Sequence, residues 1–118
     1  MNNQEWLGYL LGEYDPIDVI HIRHAKTAPN YVYIGRAGKG KPGSPLANPY
    51  RMSHGGERMA VIEKYRVWLH DRLRDGTPQM AELRRLNQLR KRYGRLYLVC
   101  FCAPKPCHGD VIKEALDA

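Results

Sequence analysis

The segment Leu96–Asp110, LYLVCFCAPKPCHGD, constrains the fold more than any other stretch of the chain. Its first half is apolar and rich in β-forming residues, which predicts a strand over Arg95–Phe101. Pro104 and Pro106 then bound a loop, because proline lacks the N–H that a strand or helix interior needs. Cys107-His108-Gly109-Asp110 opens a last helix, predicted over Gly109–Leu116. Strand, loop and helix in that order belong to an α/β domain. They bring a thiol, an imidazole and a carboxylate to the positive end of a helix dipole.

The remaining elements follow from periodicity and punctuation. Val19–His24 and Tyr31–Arg36 read as strands, and the short Lys26–Asn30 connection suits an antiparallel hairpin. Glu57–Asp75 places Ile62, Tyr65, Trp68, Leu69 and Leu73 at helical core spacing. Thr77 and Pro78 start a second helix as N-cap and first-turn proline, and Gly94 stops it after Tyr93. Residues 1–15 hold an amphipathic helix with Trp6, Leu7, Leu10, Leu11 and Tyr14 on one face. The expected architecture is one α/β domain over residues 1–118. Its small mixed sheet, an N-terminal hairpin plus the C-terminal strand, is packed by three to four helices.

At 118 residues a single hydrophobic core is attainable without disulfides or metals. Three cysteines cannot all pair, and Cys100 and Cys102 lie too close along one strand to bridge, so a reducing cytoplasm is expected. There is no apolar run of membrane-spanning length and no signal peptide, so no membrane partner is expected. The formal net charge of +7 suits an anionic partner.

Cys107, His108 and Asp110 are the candidate catalytic residues. A thiol at a helix start beside an imidazole and Lys105 is expected to be acidic, with Cys107 or Asp110 as nucleophile and His108 as acid or base. The same turn offers free backbone N–H groups as an anion cradle around Gly109. Arg36, at the mouth of the glycine-rich loop Ala37–Gly56, is a second anion contact. Ser44, Asn48 and Tyr50, stiffened by Pro45 and Pro49, are candidates for base or sugar contacts, and Cys102 joins the ligand-binding set. Together these residues suggest a pocket for a phosphate-bearing nucleotide or another anionic small molecule, with hydrolase or transferase chemistry as one outcome. The alternatives are a non-catalytic protein that sequesters a nucleotide signal, or a nucleic-acid or protein-binding module using Arg84, Arg85 and Arg92 on the Pro78–Tyr93 helix.

Cys100, Cys102, Cys107 and His108 lack the spacing of a standard zinc knuckle, and neither a metal nor a cofactor is expected. The N-terminal apolar stripe suits core packing or a homo-oligomer contact better than a membrane anchor, because its polar face lacks lysine and arginine.

Three pieces together resemble the domain of unknown function 4326 family of small bacterial and phage proteins. They are Val32-Tyr33-Ile34-Gly35-Arg36, the turn Gly43–Tyr50, and Leu98–Asp110 with its Pro-Cys-His-Gly-Asp ending. The family's turn usually reads G-N-P-F, where this chain has Ala47 and Tyr50. The resemblance runs from Asp18 over nearly the whole chain. It implies a compact α/β core with a ligand site joining the Arg36 loop, the Ser44–Tyr50 turn and the Cys107–Asp110 helix start, in a bacterial or phage-infected cytosol.

Overall fold

Burial on both faces of one short run, at Leu96, Leu98, Val99 and Cys100, makes Leu96–Cys100 the central strand of the sheet. A computed structural model describes residues 15–51 and 57–118. In chain order the elements are β1 (Ile17–His21), a 3-10 turn (Ile22–His24), β2 (Tyr31–Tyr33), α1 (Arg58–Arg72), α2 (Pro78–Tyr93), β3 (Leu96–Cys100) and α3 (His108–Asp117). The expected helix within residues 1–15 lies outside the described residues, apart from Asp15.

The strand order is β1-β3-β2, and both outer strands run parallel to β3. Ile17 is level with Leu96 and His21 with Cys100, while Tyr31 is level with Tyr97 and Tyr33 with Val99. The α/β class is as the sequence suggests, but the antiparallel hairpin is not formed. β1 and β2 do not pair with each other, because β3 lies between them. The physical reason is the length of β2. A three-residue strand needs only a short return path. An extended chain reaches about 3.3–3.6 Å per residue, so residues 22–30 suffice to cross over β3 where a longer strand would need a helix.

Side chains paired across a parallel ladder share a face. Ile17, Val32, Leu96, Leu98 and Cys100 therefore point together, and the three helices bury against this side. Ile62, Tyr65 and Leu69 come from α1, Leu83 and Leu86 from α2, and Val111 and Ile112 from α3. The opposite face carries Asp18, Ile20, Tyr31, Tyr33, Tyr97 and Val99, with the Tyr31 and Tyr97 rings stacked at 4.1 Å.

Caps set the helix limits. The Thr77 hydroxyl accepts the Met80 N–H at 3.1 Å, and Gly94 adopts φ 71°, where a Cβ would be strained. Arg90 is almost fully buried on α2 and donates to the Asp15 and Leu116 carbonyls and the Asp117 carboxylate, at 2.7, 3.2 and 2.7 Å. It closes the end of the domain remote from the carboxyl ends of the strands. No helix among the described residues is long and apolar enough to cross a membrane.

Candidate functional site

Parallel strands put their carboxyl ends on one side of a sheet, which is where open α/β domains hold ligands. Here the ends of β2 and β3 open onto a cleft of about 360 Å³. Tyr33 and Gly35–Lys39 form one wall, Asn48 and Tyr50 the rim, and Arg58, Val61 and Ile62 of α1 another side. Cys100, Phe101, Cys102, Pro106, Cys107 and His108 complete it.

The structure thus brings six of the expected site residues together: Arg36, Asn48, Tyr50, Cys102, Cys107 and His108. It leaves Ser44, Gly109 and Asp110 outside the lining, each for a clear reason. The Ser44 hydroxyl accepts the Leu46 N–H at 3.0 Å and shapes the turn. Gly109 packs against the sheet so closely that a Cβ would lie 2.8 Å from Val19 Cγ1 and 3.0 Å from Ile34 Cδ1. Asp110 accepts the Cys107 N–H at 3.1 Å and caps its own helix.

That cap changes the expected anion cradle. With Cys107 at the N-cap, the Asp110 carboxylate and the Cys107 side chain form a capping box around the first turn of α3. The positive end of the helix is met by the protein itself. Positive charge reaches the cleft instead through Arg36, Lys39 and Arg58, and no carboxylate occurs among the described lining residues.

Each of these cations is positioned by backbone or ring contacts. Arg36 follows β2 and donates Nε–H to the Asn48 carbonyl at 2.8 Å and an Nη2 hydrogen to the Tyr50 carbonyl at 2.7 Å. The Asn48 side chain in turn accepts the Tyr50 N–H at 2.9 Å. Lys39 and Gly40, with φ 49° and 75°, form a two-residue turn closed by paired hydrogen bonds between Gly38 and Lys41. This turn sets Lys39 Nζ 4.8 Å from the centre of the Phe101 ring. Arg58, in the first turn of α1, donates to the Pro106 carbonyl at 2.9 Å.

The floor holds two thiols. Cys100 ends β3, Cys107 caps α3, and their sulfurs lie 3.6 Å apart. A proton donated from Cys107 stabilises the Cys100 thiolate and lowers that thiol to about 6, helped by the Ala103 and Cys102 N–H groups and opposed by burial. Cys107 keeps the shared proton, and its own acidity falls for the same reason. Within the pair the contact lowers the Cys100 thiol and raises that of Cys107, the reverse of what the place of Cys107 at a helix start suggests. The partner of Cys100 exists only where the end of β3 meets the start of α3.

His108 is buried, and burial lowers its pKa, which favours neutral imidazole. Its Nε2 lies 2.8 Å from the Ile34 carbonyl, an acceptor only, so Nε2 carries the hydrogen and Nδ1 the lone pair. The Tyr65 ring meets the imidazole edge-on, with centroids 5.2 Å apart. No group of three metal-ligating side chains is found among the described residues.

The basic face of α2 is largely paired with the protein's own groups. Arg84 bonds Asp75, Arg85 bonds Glu82 through both carboxylate oxygens, and Arg92 lies over the Tyr93 ring.

Arg58 and Phe101 join the cleft with no local signal in the sequence, whereas Lys39 lies in the glycine-rich loop after Arg36 and Tyr33 in the motif that ends at it. Arg58 arrives from a helix distant along the chain.

The fold and the cleft together define a class: a small parallel α/β domain with a cation- and aromatic-lined site at the carboxyl ends of its strands. The chain belongs to the DUF4326 family, a domain of unknown function, which matches residues 19–118. It is similar to an uncharacterised 12.4 kDa protein from the nrdA-td intergenic region of enterobacteria phage T4, with 39% identity over 62 residues. That match covers 52% of this chain and 51% of the phage protein, so the chain spans about half the length of this relative. No solved structure matches the chain at a significant level.

Proposed function

We propose that the cleft binds a nucleotide or nucleoside phosphate. The observation that carries this reading is the make-up of one concavity: Arg36, Lys39 and Arg58 with the aromatic rings of Tyr33, Tyr50 and Phe101, and no described carboxylate facing them. Cations at the rim suit a phosphate, and guanidinium groups match its geometry through paired N–H donors. Aromatic faces suit a base, which stacks on them through its own π-system. The volume falls within the roughly 300–1,000 Å³ typical of small-molecule sites.

Any group transfer in this cleft has two resources at hand, the Cys100–Cys107 thiol pair and the Nδ1 lone pair of His108. Binding is the primary reading, and catalysis by these groups is a second step to be tested on a bound ligand.

Isothermal titration calorimetry with nucleoside mono-, di- and triphosphates and the parent nucleosides tests the proposal. At least one phosphorylated compound should bind more tightly than its nucleoside. Lys39→Asn, which keeps a residue tolerant of the left-handed turn, and Arg58→Gln should each weaken it by about tenfold, or about 1.4 kcal/mol. Equal affinities for phosphorylated and free nucleosides, or no binding by any member of the panel, would overturn it.

A further inference from the structure

We propose that Cys100 and Cys107 form a reversible dithiol–disulfide site on the floor of the cleft, oxidised by small hydroperoxides. The two sulfurs already face each other at 3.6 Å, both cysteines are free, and both line the cleft through which a small oxidant can arrive. One sulfur stands at the end of β3 and the other at the start of α3. Closure to the S–S length of about 2.05 Å therefore draws a strand end and a helix start together by about 1.5 Å. The connecting residues Pro104, Lys105 and Pro106 are exposed, so this adjustment falls on the loop and not on the core.

The chemistry balances with the peroxide as sole oxidant. The Cys100 thiolate attacks one oxygen of the O–O bond, which breaks and releases hydroxide or alkoxide, leaving a sulfenic acid on Cys100. The Cys107 sulfur then attacks the Cys100 sulfur. The S–S bond forms, the S–O bond breaks, and the departing oxygen leaves as water with the Cys107 proton. Two thiols lose two electrons, and the peroxide gains them. Exchange with a dithiol reductant reverses the change, the reductant taking the disulfide. The greater acidity of the Cys100 thiol is in keeping with its role as the attacking sulfur.

Oxidation also reaches the ligand site. It pulls the Cys107 side chain from the first turn of α3, next to His108. The inference stands on the two sulfurs alone and does not depend on the nucleotide reading.

The test treats the full chain with hydrogen peroxide, alkylates the remaining thiols and measures intact mass, for wild type and Cys102→Ser. Chymotryptic cleavage after Phe101 separates Cys100 from Cys107, so a bond between them joins two fragments. The expected Cys102→Ser protein is two hydrogens lighter and carries no adduct, wild type carries one adduct on Cys102, and both give the joined fragments and recover both thiols with dithiothreitol. Cys100→Ala and Cys107→Ala should each abolish the joined fragments. Two alkylatable thiols after peroxide in Cys102→Ser, conversion to sulfinic acid without a bond, or linkage only through Cys102 or between chains would each overturn the proposal.

Discussion

His108 donates its Nε2 hydrogen to the Ile34 carbonyl across 2.8 Å, tying the first turn of α3 to the residue that follows β2. This bond crosses between two segments far apart in sequence and fixes the floor of the cleft against its wall. It also requires the imidazole to be buried, and the consequences of that burial can be measured.

Burial lowers the His108 pKa relative to the unfolded chain, so between the folded value and the unfolded value near 6.5 the unfolded state binds more protons. The contribution to stability is thus present above about pH 6.5 and lost as pH falls toward the folded value. Urea denaturation at pH 7.5, 6.5 and 5.5 should show a steeper loss in wild type than in His108→Gln, which cannot titrate. Parallel curves would refute the assignment.

Arg36 holds the turn through two carbonyls, of Asn48 and Tyr50. Arg36→Ala should cost about 1–2 kcal/mol, since both bonds come from a charged donor but lie at an exposed site. Arg36→Lys should not restore the loss, because an ammonium lacks the fork that spans both acceptors. Equilibrium unfolding of the two variants checks this, and full recovery by lysine would contradict it.

At an open helical position Gly→Ala is stabilising by up to about 1 kcal/mol. At position 109 the sign should reverse. The new methyl would meet Val19, Ile34 and the Cys107 sulfur, and overpacking of this kind costs about 1–3 kcal/mol. A fall in melting temperature for Gly109→Ala is expected, and a rise would show that α3 can move off the sheet at little cost.

Arg90 and Arg92 lie two residues apart on α2 yet should behave differently. Arg90→Met leaves the Asp15 and Leu116 carbonyls without their donor and should cost about 2–3 kcal/mol. Arg92→Ala, at an exposed position, should stay within about 0.5 kcal/mol of wild type. Equal effects in denaturant would mean that the buried guanidinium does not act as a tie.

Local chemistry was legible wherever it decided the outcome. The helix from Pro78 to Tyr93 has the limits that Thr77, Pro78 and Gly94 announce. The last helix begins at His108, one residue before the position suggested by periodicity, because Cys107 with Asp110 makes the cap. Strand pairing was not legible. A short connection after His24 reads as a hairpin, and nothing local to Val19 or Tyr31 reveals that β3 will stand between them. The cleft was half legible for the same reason. Arg36 and Cys107 stand next to obvious strand ends, whereas Arg58 and the Cys100–Cys107 contact exist only after distant segments meet.

The position of β3 bears on how the chain can be made. Among the described residues β1 and β2 find ladder partners only in residues 96–100, which follow both of them in the chain after two helices. During translation both outer strands emerge with no edge to join, and the sheet cannot nucleate until β3 leaves the ribosome. Such late, long-range closure slows folding. A nascent chain arrested at Gly94 should still lack the sheet, however long it is held there.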